Sequence, residues 1–84
     1  MNIDKKVEKI LRKPNDMRFD EIKKIFEYFG FQLERFTGSH ACFYNETTKK
    51  IFFIPTINGR VVKNWYLNEI SKFLELKDWY KNER

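Results

Sequence analysis

The sequence holds one cysteine, Cys42, and one histidine, His40, with only three glycines and two prolines among 84 residues. A single cysteine forms no internal disulfide. Together with a single histidine it also falls short of a tetrahedral zinc site unless several carboxylates complete the set. The carboxylates are scattered, with no cluster spaced for Mg²⁺. No apolar run approaches the roughly 20 residues that span a bilayer. The opening stretch MNIDKKVEKI is charged and amphipathic, unlike a secretory signal. These absences lead to the expectation of a reduced, cytoplasmic chain with no membrane partner, no metal and no cofactor.

Aromatic bulk and positive charge are what the sequence has instead. Aromatics make up 18% of it, including nine Phe and four Tyr, enough for a thin but compact core. The length fits one small domain over residues 1–84. The formal charge of +5 makes nucleic acid the natural anionic partner, although surplus surface lysine accounts for it equally well. The excess is uneven. Between Lys49 and Lys72 stand Lys49, Lys50, Arg60, Lys63 and Lys72 against Glu69 alone, whereas residues 1–35 carry nine basic and seven acidic side chains.

Hydrophobic spacing gives the order of elements. Ile3, Val7, Ile10 and Leu11 recur at helical intervals, and Pro14 should end that first helix. PNDM reads as a turn. Ile22, Ile25, Phe26 and Phe29 share a stripe on a second helix over about 19–29, closed by Gly30. FQLERF alternates Phe31, Leu33 and Arg35 against Gln32, Glu34 and Phe36, as a strand does. TGS turns into the strand HACFYN, ETTKK is a hairpin loop, and KIFFIP is a third strand stopped at Pro55. TINGRVVK is a loop with an Asn-Gly turn able to hold a small hairpin. A last main helix covers about 64–75, followed by a short helical tail.

The expected fold class is therefore α+β: a three-stranded antiparallel sheet with helices on one face, plus an extra N-terminal helix over residues 1–13. The covered sheet face should carry Phe31, Leu33, Ala41, Phe43, Phe52 and Ile54. By the two-residue period, His40, Cys42 and Tyr44 then point the other way.

The stretch ILRKPNDMRFDEIKKIFEYFGFQLERFTGSHACF resembles the N-terminal half of HicA-type toxins, small messenger-RNA-cleaving endoribonucleases of toxin–antitoxin pairs. The landmarks are Gly30–Phe31, Arg35 and Gly38–Ser39–His40, then Ile54–Pro55, Asn58–Gly59 and Val62–Lys63 before a helix with Leu67 and Ile70. The resemblance covers nearly the whole chain. It implies a fold like that of double-stranded-RNA-binding domains, His40 as the catalytic residue, and a cognate antitoxin of the HicB type as partner. Two positions depart from the family pattern. Ala41 stands where a second histidine is frequent, and Asn64–Trp65 stand where Pro or Gly is common.

The residues themselves fit that chemistry without requiring it. RNA is cut without metal when its 2′-hydroxyl attacks the adjacent phosphorus, which needs a base for the hydroxyl and an acid for the leaving oxygen. An imidazole serves either role near neutral pH. Gly38 and Ser39 can approach or bind a phosphate, or simply form a turn. Arg35, Lys49, Lys50, Arg60, Lys63 and Lys72 are further candidates for phosphate contact, though a solvated surface explains any one of them equally well. Lys63 is the best placed, before a helix N-terminus. Tyr44 and Phe53 can stack bases if their face is open, or seat an antitoxin. Cys42 has no visible orienting group or oxyanion hole, so it is expected to behave as a small hydrophobe. The expected function is cleavage of messenger RNA. The alternative is an RNA-binding module of the same shape that holds RNA without cutting it.

Overall fold

A computed structural model describes residues 2–12 and 15–83. In chain order they form α1 (Ile3–Arg12), β1 (Met17–Arg18), α2 (Phe19–Tyr28), β2 (Gln32–Thr37), β3 (His40–Tyr44), β4 (Ile51–Pro55), β5 (Val61–Val62), α3 (Asn64–Leu74) and α4 (Leu76–Glu83). The architecture is α+β, with an antiparallel three-stranded sheet in the order β2-β3-β4 and a separate β1-β5 pair. The expectation that Pro14 ends the first helix falls on residues outside those described.

Phenylalanine decides how the layers meet. The Phe26 ring of α2 stacks on Phe43 of β3 at 4.6 Å and also reaches Phe31, Phe52 and Phe73. Phe73 of α3 stacks on Phe52 of β4 at 4.2 Å. The two helices thereby lie side by side on one sheet face, over Ala41, Phe43 and Ile54, which are buried as expected. α1 packs outside them, burying Val7 and Ile10 against the same core. The tail is a full element: Trp79 of α4 sits edge-on to Phe29 at 5.5 Å, and the Tyr80 hydroxyl donates to Glu8 of α1 at 2.7 Å.

Three features differ from the sequence reading. The first is a bulge. Leu33 pairs with Phe43 but Arg35 pairs with Cys42, so Glu34 is the extra residue in β2. Strict alternation would put Arg35 with Leu33 and Phe36 opposite them. The bulge reverses this, turning Arg35 to the open face and Phe36 toward the helices, where its ring lies 5.5 Å from Phe19. The second is β1, which begins at Met17, the last residue of the stretch read as a turn. Met17 is buried and pairs with Val62, so Val61 and Val62 serve a second pairing besides the small hairpin that closes at Ile57↔Val61. The third is a change of helix at Glu75, whose left-handed conformation (φ 53°) ends α3 one residue early.

The start of α3 is capped from a distance. Asp16 accepts the Asn64 backbone N–H at 2.8 Å through Oδ1 and the Lys63 ammonium at 3.1 Å through Oδ2. The Asn64 bond first, and Lys63 second, hold the Asp16 carboxyl below its ordinary value. A carboxylate depressed in the folded state stabilises above its unfolded value, and that contribution disappears as pH falls through the folded value. Asp16→Ala should therefore melt earlier than the parent at neutral pH. The gap should close below about pH 3.9; a gap that persists in acid would mean that the cap does not act through charge. Phe26 provides the larger test. Phe26→Ala should cost about 3–5 kcal/mol in chemical denaturation, a large share of the roughly 4–13 kcal/mol expected for this length. A loss under about 1 kcal/mol would show that the stack is not the organising contact.

Candidate functional site

His40 opens β3 directly after the two-residue turn Gly38–Ser39. Gly38 has φ 62° while Ser39 keeps a negative φ, the pattern of a type II′ hairpin turn, which needs glycine at its first central position. The backbone just before the imidazole is pinned by the residue that follows β4. The Ser39 carbonyl accepts both the Thr56 N–H at 3.0 Å and the Thr56 hydroxyl at 2.6 Å. Thr56 Oγ1 in turn accepts the Gly59 N–H at 2.9 Å. A buried threonine thus joins the β2–β3 turn to the loop after β4.

Across from His40 stands Pro55. The bonds Thr56 N–H to Ser39 and Asn45 N–H to Lys50 fix which β3–β4 pairs exchange hydrogen bonds, and Pro55 falls between them, at a position where a missing N–H costs nothing. On the other side His40 faces Thr37. The side chain is exposed, and among the described residues no hydrogen bond or ion pair engages the imidazole. Arg35 shares this face one pair further along β2, a diagonal neighbour within reach of a long side chain. Nothing but the bulge at Glu34 puts it there.

Between Arg35 and Phe53 lies Cys42, fully buried on a face that no helix covers. Its larger cross-strand neighbours shield it, which agrees with reading it as a small hydrophobe. Beyond it the face becomes apolar, with Phe53 43% and Ile51 48% exposed beside Tyr44. The Phe53 carbonyl accepts the Tyr66 hydroxyl at 2.8 Å. Burial, with Glu69 second, raises the Tyr66 phenol above its ordinary value and keeps it a donor.

The basic candidates do not gather in one place. Lys49 and Lys50 belong to the loop beyond Tyr44, about 13 Å along β3 from His40. Arg60 is in the loop before β5, exposed, with its carbonyl accepting the Phe19 N–H at 2.7 Å. Lys63 does precede a helix, but Asp16 already occupies that N-terminus and pairs with the ammonium. Lys72 lies near the end of α3, away from the sheet. No grouping of three or more His, Cys, Asp or Glu suited to a metal ion occurs among the described residues. Nor does any described helix have the length and apolar character to cross a membrane. Sequence reasoning missed Thr56 and Asp16. Both act through contacts far apart in the chain, and neither sits in a motif that would mark it.

Comparison with curated proteins and with solved structures finds no match. A family model described as HicA toxin of bacterial toxin–antitoxin systems matches residues 19–78, from the start of α2 into α4. The matched segment includes the whole sheet, the turn before His40 and both helices that cover the sheet, and by that match the chain belongs to the HicA toxin family.

Proposed function

We propose that the protein is a toxin endoribonuclease that binds and cleaves messenger RNA without a metal, with His40 as its general acid or base. The observation that carries this reading is the pairing of an uncommitted imidazole with a rigid mount. His40 projects from a strand whose preceding carbonyl holds two bonds from Thr56, so a substrate phosphate would meet a group already in place.

In the proposed reaction the 2′-oxygen bonds to phosphorus and the bond from phosphorus to the 5′-oxygen breaks. This leaves a 2′,3′-cyclic phosphate and a 5′-hydroxyl. His40 takes the proton from the 2′-hydroxyl or gives one to the leaving 5′-oxygen; the other transfer passes through water. The Arg35 guanidinium stands on the same face to offset charge that develops on the phosphorane. Gly38 and Ser39 border the phosphate, while Arg60 and Lys63 hold RNA nearby, Lys63 by exchanging Asp16 for a phosphate. Lys49 and Lys50 extend the track past the far end of β3. The neutralising partner in this reading is a HicB-type antitoxin. Apolar groups of the antitoxin would cover Tyr44, Ile51 and Phe53, and an acidic surface would answer the charge of +5.

His40→Ala should lower messenger-RNA cleavage in EDTA by roughly 10²-fold or more and end growth arrest, with unchanged circular dichroism, since the imidazole holds nothing in the fold. Undiminished cleavage would exclude the role and leave the non-catalytic RNA-binding module as the reading. The outlying lysines separate affinity from chemistry. Lys49→Ala with Lys50→Ala should flatten the log–log salt dependence of long-RNA binding by roughly 0.7 per lost contact. Cutting of a trinucleotide should stay the same. An unchanged slope would make these two lysines solubilising charge only.

A further inference from the structure

An open cleft of about 500 Å³ lies beside the β2–β3 turn, lined by Phe36, Gly38, Ser39, Asn58 and Gly59. One wall is the Phe36 ring, 41% exposed and braced from behind by Phe19. The other is a tight turn across Asn58 and Gly59, both left-handed (φ 54° and 71°) and closed by Arg60 N–H to the Ile57 carbonyl at 3.0 Å. Glycine suits position 59 through its left-handed backbone; a Cβ there would make only ordinary contact with the Phe36 ring, at 3.8 Å, so the turn and the ring stand close together. Thr56 sets its width, bonded to Ser39 on one side and Gly59 on the other. At the rim the Asn58 amide has no hydrogen-bond partner among the described residues, which leaves a donor and an acceptor side by side.

We propose that this cleft is a single-nucleobase subsite, in which a base of the RNA stacks on Phe36 and Asn58 reads its edge. It rests on the ribonuclease reading and specifies which part of the substrate is recognised. A braced, half-exposed aromatic ring beside a free amide is the equipment that single-stranded RNA recognition uses. Position favours RNA as the occupant. Ser39 lines the cleft and is the chain neighbour of His40, so the RNA backbone of a base seated here would cross the turn, from the Phe36 face toward the face that bears the imidazole. The base read is therefore one that flanks the cut, and the subsite would confer sequence preference on cleavage. Phe36 serves this purpose only because the bulge at Glu34 turns it off the His40 face.

A 2′-O-methyl tetraribonucleotide, which cannot supply the attacking hydroxyl, is the binding probe. Titrated into the intact protein, it should shift the backbone amide resonances of Phe36, Gly38, Asn58 and Gly59 together with His40. Shifts confined to Tyr44, Ile51 and Phe53 would overturn the subsite. So would protection of the cleft by an acidic protein partner but not by the oligonucleotide. Asn58→Asp supplies the second readout. Aspartate tolerates the left-handed turn but only accepts hydrogen bonds. Mapped on a random-sequence RNA, its cuts should move toward guanine, whose Watson–Crick edge offers adjacent N–H donors. Phe36→Leu, which keeps apolar contact with Phe19, should raise KM on the order of tenfold through lost stacking. A cut map unchanged in Asn58→Asp would overturn the proposal. If the parent cuts no RNA at all, the ribonuclease reading fails, and the oligonucleotide shifts alone decide whether the cleft binds a base.

Discussion

The stacking of Phe26 on Phe43 is the contact on which the arrangement depends. A chain of this length has apolar material for one core, not two. Once Phe26 and Phe73 commit α2 and α3 to the same sheet face, the other face must go without a cover. Period-two geometry then does the rest. Every residue of β3 that alternates with Ala41 and Phe43 is sent to the bare side, and the first of them is His40. Exposure of the histidine is thus a consequence of where the phenylalanines are.

That part of the structure was legible in the sequence because it follows from periodicity. The stripes of Ile22, Ile25 and Phe26 and of Leu67 and Ile70 are buried as their spacing requires, as is the inward set of β3. The bulge was not legible. Glu34 is one polar residue in a run that already alternates, and nothing local distinguishes an extra residue from a paired one. The reversal it imposes on Arg35 and Phe36 changes what each can do. Sites that depend on contacts between distant segments were also invisible. Asp16 caps a helix that begins 48 residues later, and Thr56 joins a turn to a loop across 17 residues of chain. The pairing of Met17–Arg18 with Val61–Val62 is a third case, two residues long and below any window that detects alternation.

Charge is distributed differently in space than along the chain. The basic excess between residues 49 and 72 reads as one patch, but folding separates it. Lys49 and Lys50 go to one end of the sheet, Arg60 to a loop at the other and Lys72 to a helix. Lys63 is partly neutralised by Asp16. The cation that shares the His40 face on the neighbouring strand is Arg35, drawn from the half of the sequence where charges nearly balance. A net charge can steer an anion toward the whole molecule, yet only a side chain at the phosphate can respond to charge developing there. In the proposed reaction the two tasks fall to different residues.

The N-terminal helix bears on how such a protein would be kept silent. It lies outside the segment that matches the family, yet Val7 and Ile10 are fully buried and Glu8 accepts a hydrogen bond from Tyr80. Lys9 and Lys6 both approach Glu21 of α2, Lys9 at 2.9 Å. α1 is therefore part of the folded core. It also sits on the wrong side for a plug, because α2, α3 and the sheet stand between it and the face that bears His40. To shield the imidazole it would have to leave its own packing and travel round the sheet, exposing the apolar stripe that anchors it. A separate molecule placed on the bare face, as in the proposed function, would shield the imidazole with no such rearrangement. The apolar surface of Tyr44, Ile51 and Phe53 beside His40 would be what that molecule grips.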